Sequence, residues 1–418
     1  MPPFPFRVRA AGAATALALA AACWPAAAAA ALSFDEALSL ARDQAPSLAA
    51  QHSALASAQA EQPAATTLPD PRLTLGVDNL PLTGADRYSL TRDFMTMQRI
   101  GLMQEVPNRA KRDARAAGAQ ARIERERAML AVARLAVQRE AALAWIGVHY
   151  AERRVAQLAD LARENQIVID TTDARIASGK AMPAERTMAR QEALALADRH
   201  DDALRDVARQ RAALRRWVGP RGDEPLDGAP PPTHVHPDGV RAGLHRHAEV
   251  APYTAMQAMA QAQVGEAEAE QRGDWAWEVV YSRRGPQYPD MLSLQVSIDL
   301  PWQKDRRQQP MVSARQKELQ RIEAEREETL RKHQEEVEAQ LAELQALDTQ
   351  RERLERSGQP LADERVALAL AGYQSGRGDL GAVLMARREL VETRLRLIDL
   401  DTQRAALRVR LTTLIAEQ

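Results

Sequence analysis

The chain has 418 residues, a formal net charge of -1 and 4% aromatic residues, and Ala, Leu, Arg, Glu and Gln dominate it. Such a composition points to long helices with thin cores. The near-zero charge, with Arg and Glu intermixed as on solvated helix faces, argues against a nucleic-acid partner.

Arg7 and Arg9 precede an apolar run from Ala11 to Ala22, and an Ala-rich stretch then leads into Ala31-Leu32-Ser33-Phe34. Residues 1–30 therefore read as a secretory signal cleaved near Ala30. The one cysteine, Cys23, falls inside it, so the mature chain is expected to carry no disulfide and no thiol chemistry. A second reading makes Cys23 a lipid-anchored N-terminus, although Ala20, Ala21 and Ala22 lack the usual Leu three places before. No later segment reaches about 18 consecutive apolar residues, which excludes a transmembrane helix and leaves strands for any membrane role.

One plan is written twice, about 190 to 200 residues apart: helix, two short strands, a very long helix, a tight turn, a returning helix. The first copy spans 31–217. Ser33-Phe-Asp-Glu36 has capping-box spacing, with the hydroxyl and the carboxylate each expected to take one free amide, and opens a helix to about Glu61, with Pro63 beyond its end. Leu73, Leu75 and Val77 alternate with Thr74, Gly76 and Asp78, predicting strands at about 72–80 and 96–106. About 70 residues without proline then run from Pro107 to a turn at Ser178, Gly179 and Lys180, enough for a helix of ~100 Å.

A connector without periodicity, 218–237, carries Gly219-Pro220, Gly222, Gly228 and Pro230-Pro231-Pro232. The second copy, 238–418, opens with a helix to about Gln271. Trp275, Trp277, Val279 and Tyr281 alternate with Ala276, Glu278, Val280 and Ser282, and Leu294, Val296, Ile298 and Leu300 with Gln295, Ser297 and Asp299. This alternation predicts strands at 275–283 and 291–300. A second long helix runs from Trp302, interrupted by Pro310 and Pro360, to a turn at 375–378 with Ser375, Gly376 and Arg377. Ser178-Gly179-Lys180 answers Ser375-Gly376-Arg377, Met188-Ala-Arg190 answers Met385-Ala-Arg387, and Gln210-Arg-Ala-Ala-Leu214 answers Gln403-Arg-Ala-Ala-Leu407. Between the last two pairs the first copy is longer by four residues, roughly one helical turn, which keeps the apolar face in phase.

Leu347, Leu354, Leu361 and Leu368 recur at sevens, as do Leu400, Leu407 and Leu414, so the helices are expected to pack side by side at shallow angles. Each strand has the length that a tilted strand needs to cross an outer membrane; a soluble sheet with one buried face is the alternative.

His234, His236, His245 and His247 form two His-x-His pairs without a third ligand at suitable spacing, and Met95, Met97 and Met103 read as packing residues before soft metal ligands. No nucleophile elbow, phosphate loop, HExxH or paired-acid motif occurs, so no enzyme and no cofactor is expected. Gly179 and Gly376 stand where a left-handed residue closes a helix end.

The repeated plan, the start Leu32-Ser-Phe-Asp-Glu-Ala-Leu-Ser-Leu-Ala and the turn Gly372-Tyr373-Gln-Ser-Gly376 resemble the TolC-type outer-membrane efflux factors over essentially the whole mature chain. Leu68-Pro69-Asp70-Pro71-Arg72-Leu73, Asp78-Asn-Leu-Pro81 and Asp93-Phe-Met-Thr-Met97 look more like the outer-membrane component of heavy-metal tripartite exporters of the cobalt-zinc-cadmium or copper type. The resemblance implies a mainly α fold with a small β part. In it, three protomers form an α-helical barrel of coiled-coil hairpins joined to a twelve-stranded transmembrane β-barrel, four strands per protomer. It also implies a duct in outer-membrane lipid, working with a periplasmic adaptor (a membrane fusion protein) and an inner-membrane, proton-driven RND pump, to export heavy-metal cations or, alternatively, drugs and other small molecules. A periplasmic coiled-coil scaffold is the competing class.

By the same resemblance the periplasmic tip and gate comprise Ser178, Gly179, Lys180, Tyr373, Ser375, Gly376, Arg377 and Asp379, with Tyr373 at the gating tyrosine and Gly376 at the tip glycine. The family's following arginine comes one place early, as Arg377, with Gly378 at its position. Two aspartates that ring the closed entrance align with Ala382 and Met385, so Asp379 or an unrelated ring would have to replace them.

Overall fold

The structure, a computed structural model, describes residues 31–231 and 234–414. The expected signal with Cys23, Pro232 of the connector and the last four residues lie outside them.

Four strands, β1 (Arg72–Asp78), β2 (Met97–Val106), β3 (Trp275–Arg283) and β4 (Met291–Ile298), form one antiparallel sheet in the order β1-β2-β3-β4. The β2–β3 pairing, from Gln98 opposite Arg283 to Val106 opposite Trp275, joins the two repeats. Because side chains alternate between faces, the register builds rows across the strands. Leu75, Ile100, Tyr281 and Leu292 make one row; Leu73, Leu102, Val279 and Leu294 make the next; Trp277 with Val296 and Trp275 with Ile298 extend the same face. This face is largely uncovered: Leu294 is 76% exposed and Leu75 73%. The opposite face is polar, carrying Thr74, Arg99, Glu105, Glu278 and Gln295, and an Arg99–Asp78 pair at 2.9 Å.

The helices hang from this sheet. α1 (Phe34–Gln44) and α2 (Pro46–Thr66) lead into β1; α3 (Arg109–Ala177, 69 residues) leaves β2 and returns as α4 (Pro183–Val218). After the short α5 (Pro237–Ala242), α6 (Ala251–Ala269) leads into β3. β4 is followed by α7 (Gln309–Arg353), α8 (Gln359–Gln374) and the returning α9 (Leu380–Thr412). α2, α3, α6 and α7 pack in that order, the order of their strands.

Several sequence expectations need correction. The first helix is two, because Ala45, at φ -66° and ψ 116°, takes the extended conformation that a following proline favours. Pro63 lies inside α2, close enough to its end that the missing amide costs little. Ser33 accepts the Glu36 amide at 3.2 Å, but the Glu36 carboxylate pairs with Arg221 instead of closing a capping box. The helix expected from 238 to 271 breaks at Gly243, passes through a 3₁₀ turn at Leu244–Arg246 and restarts with Pro252 in its first turn. Pro310 and Pro360 do not interrupt the second long helix; each follows a π turn, Lys304–Gln308 and Leu354–Gly358, whose wider winding absorbs the proline ring.

Trp145 of α3 centres the largest core cluster, donating its indole N–H to the Leu32 carbonyl at 3.1 Å while the Phe34 ring meets it edge-on. Where strand becomes helix, Asn108 caps α3 by accepting the Lys111 amide at 3.0 Å. Its side-chain amide donates to the Ala269 and Arg272 carbonyls and to Asp274, and its backbone N–H donates to Asp274 Oδ1 at 2.8 Å. One side chain thus ties the first repeat's helix start to the second repeat's strand start. Asn108→Ala should destabilise this junction by about 1–2 kcal/mol, lowering the urea midpoint of the helical circular-dichroism signal; an unchanged midpoint would show the tie to be idle.

Candidate functional site

The two hairpin tips, far along the chain from each other, come together at the end away from the sheet. Each long helix ends in the same device. Gly179 has φ +73° and Gly376 φ +74°, and no atom lies within 4 Å of the position a Cβ would take at either. The Lys180 amide donates to the Arg175 carbonyl at 2.8 Å and the Gly179 amide to Ile176 at 3.0 Å; in the second copy Arg377 donates to Gly372 at 3.0 Å and Gly376 to Tyr373 at 3.1 Å. Both are Schellman motifs, which satisfy the last free carbonyls of the helix through one left-handed residue. Ser178 and Ser375 turn their hydroxyls back onto the Arg175 and Gly372 carbonyls at 3.0 Å. Lys180 and Arg377 are exposed.

Tyr373 is the one buried member of the expected set, 8% exposed, packed with Ile169, Ala189, Leu380, Val383 and Leu384. Its hydroxyl donates to Glu185 Oε2 at 2.6 Å, while Glu185 Oε1 accepts the Met182 amide at 3.0 Å and so caps α4. The Arg175 guanidinium lies 4.2 Å from the Tyr373 ring centroid, at cation–π distance. One carboxylate therefore holds its own helix start with one oxygen and the other hairpin with the second. Burial, then the bond to Glu185, push the Tyr373 phenol above its ordinary value.

Around this latch, Asn165, 4% exposed, donates to the Ala189 carbonyl at 3.2 Å; Arg387 reaches the Glu164 carbonyl at 3.3 Å, and Arg388 pairs with Glu192. Asp379 spends its carboxylate on the Ala382 amide at 2.7 Å, as the N-cap of α9, a structural use. Ala382 and Met385, the positions aligned with an acidic constriction, are uncharged and both exposed.

Glu185 and Arg175 were absent from the expected set. A glutamate two places after the Pro183 that opens a helix was a legible capping signal, but its second contact is a tertiary one. Between the copies, Glu185 stands opposite Ala382 and Tyr373 opposite Ile176, so the repeat places the acceptor on one tip and the donor on the other.

Among the described residues no group of three or more His, Cys, Asp or Glu is arranged to hold a metal, and no helix is long and apolar enough to cross a membrane. Of the two His-x-His pairs, His247 is buried and His234, His236 and His245 are exposed. Met95 lies in the loop before β2 and not on a strand face shared with Met97.

No protein-family model matches the chain, and no curated protein matches it in sequence. Solved structures do. They include a membrane protein from Pseudomonas aeruginosa (TM-score 0.79, 18% identity, 91% of this chain and 89% of that one) and the outer membrane protein VceC from Vibrio cholerae (0.77, 18%, 91% and 95%). CusC, whose structures are described in terms of transmembrane channel formation, gives 0.76 and 18%, with 92% of each chain covered. At this identity the likeness is one of fold. The fold is thus the one these outer-membrane and channel-forming proteins share, a small antiparallel sheet continued by long helical hairpins.

Gly376→Val should cost about 1–2 kcal/mol, from backbone conformation and not from a clash, and lower the temperature at which the tip loses amide-exchange protection. Unchanged protection would remove Gly376 from the tip device. Tyr373→Phe leaves Glu185 Oε2 without its donor and should weaken hairpin–hairpin closure by about 1–3 kcal/mol. The same bond holds below the raised phenol pKa and is lost as alkaline pH rises through it, so the wild-type tip should loosen with alkali and the Phe variant should not show that step in a tyrosinate absorbance titration followed together with amide exchange.

Proposed function

We propose that the chain is the outer-membrane exit duct of a tripartite efflux system, three copies closing the sheet into a twelve-stranded barrel and the hairpins into a tube. The observation that carries this reading is the sheet: apolar rows run across all four strands on one face, the other face is polar, and β1 and β4 are open edges. A lipid-facing band and a wetted interior have this pattern, and hydrocarbon tolerates no open edge, so closure by further copies is the arrangement that satisfies every strand. The helices continue the wall, and the tips form its closable end, with Ser178, Gly179, Lys180, Tyr373, Ser375, Gly376, Arg377 and Asp379 as the tip set and Glu185 added as the acceptor of the latch. A periplasmic adaptor docks on these tips, and an inner-membrane RND pump supplies the cargo and the work.

Heavy-metal cations are the cargo favoured by the resemblance of the Leu68–Leu73, Asp78–Pro81 and Asp93–Met97 runs. The fold is shared equally by VceC and CusC and does not discriminate metals from drugs. A wide wetted duct leaves that choice to the pump.

Fractionation tests the reading. The wild-type protein should sediment with outer membranes and run as a trimer in mild detergent, and Leu294→Arg, on the exposed apolar face, should cost about 2–4 kcal/mol if it lies near the bilayer midplane and reduce membrane-inserted trimer. Release of wild-type protein as a soluble monomer, or normal insertion of the Arg variant together with Leu75→Arg, would refute it.

A further inference from the structure

Half-way down the helical body, away from both sheet and tips, two histidines are stacked. His247, in the turn before α6, and His333 of α7 have ring centroids 3.7 Å apart and planes at 19°, and are 3% and 6% exposed. His247 Nδ1 accepts the Glu249 amide at 3.2 Å, which fixes the turn; its Nε2 is buried without a hydrogen-bond partner. His333 lies between two carboxylates: its Nδ1 is bonded to Glu336 Oε2 at 3.1 Å, and its Nε2 comes within 3.2 Å of Glu249 Oε2 without a hydrogen bond. The next residue after His247, Ala248, donates its amide to the Leu414 carbonyl at 3.2 Å, so the same turn holds the segment just beyond the C-cap of α9.

The titratable and charged groups around His247 are His333 and Glu336 from α7, Glu249 from its own turn and Arg139 from α3. An imidazole whose Nδ1 accepts an N–H has no place for a second proton. Protonation there sets donor against donor at the Glu249 amide and puts a buried cation 3.7 Å from a second imidazole, costs that outweigh the attraction of Glu249 and Glu336. We propose that the His247–His333 stack is an acid-released clasp: proton uptake at His247 Nδ1 frees residues 243–250 from α7 and loosens the hold on the segment just beyond α9. The ligand is a proton, and the device is independent of the channel reading.

Burial first, and then the neighbouring His333, hold His247 down at about 4, against about 6.5 for a free imidazole. A released turn binds the proton between these two values and a closed one does not. Closure is thus unaffected above pH 6.5 and weakens as pH falls from there toward 4.

Hydrogen exchange of the full-length protein, with rates corrected for intrinsic pH dependence, reads the clasp directly. Protection of amides 243–250 should fall about tenfold per pH unit between 6.5 and 4, while the Trp145 core keeps its protection. His247→Asn retains an oxygen that can accept the Glu249 amide but cannot titrate, and should keep protection flat across that range. His333→Phe keeps a stacked ring without the second imidazole; the closed-state value of His247 then rises toward the open one, so the fall should still begin near 6.5 but end at a higher pH and be smaller. A wild-type profile without the fall, or a fall unchanged in both variants, would overturn the proposal. So would protection that zinc at pH 7 raises in the wild type and not in His247→Asn, because the ligand would then be a metal.

Discussion

The pairing of β2 with β3 is the constraint on which the rest of the molecule depends. These are the strands at which the two repeats meet, and an antiparallel ladder fixes both the spacing and the direction of the helices attached to them. α3 must leave beside the strand that α6 enters, and the flanking α2 and α7 take the outer places, so a sheet only four strands wide dictates the order of helices far longer than itself. Asn108 and Asp274 enforce this at the point of exit, one side chain from each repeat, because a 69-residue helix would convert a small angular error at its start into a large displacement at its tip.

Duplication alone would have made two identical tips. The backbone devices are indeed the same, glycine for glycine and serine for serine, because helix termination makes the same geometric demand twice. The side chains depart from symmetry where the hairpins touch: a phenol is needed on one and a carboxylate on the other, and neither Tyr373 paired with Ala382 nor Ile176 paired with Glu185 could form the bond. In the duct proposed above, the repeat would supply the wall and the broken symmetry the closure.

The four strands fall within two residues of the expected limits, and α3 and the two helix-closing glycine turns follow local signals, because period-two alternation, absence of proline and a glycine after a long helix each have one local meaning. The errors came where local signals compete. Pro46 broke a helix whose apolar pattern continued through it, while Pro310 and Pro360 broke nothing, since a π turn before each re-spaced the backbone. Nothing in the residues flanking a proline shows which outcome tertiary packing will select. The proposed site divides the same way: the left-handed glycines follow from their position after long helices, Tyr373 was placed by resemblance alone, and Glu185 gains its importance from contact with a residue 188 places away.

The helical body is held differently at its two ends, and this bears on how such a tip could open. At the sheet, hydrogen bonds are directional and continuous. Down the helices, cores are thin and the seams are ionic: Arg154 reaches both Asp206 and Asp399, Arg351 reaches Asp401 at 2.7 Å, and Arg408 reaches Asp348 at 3.1 Å. Partly exposed pairs of this kind contribute little each and tolerate displacement, because a long guanidinium can follow its carboxylate through a shift of about an ångström or more. A sheet that cannot slide and seams that can confine motion to the far end, where the Tyr373–Glu185 bond is one of few directional contacts between the hairpins. In the proposed duct, closure of the tip would therefore require no rearrangement of the wall, only the making and breaking of contacts that the repeat left unequal.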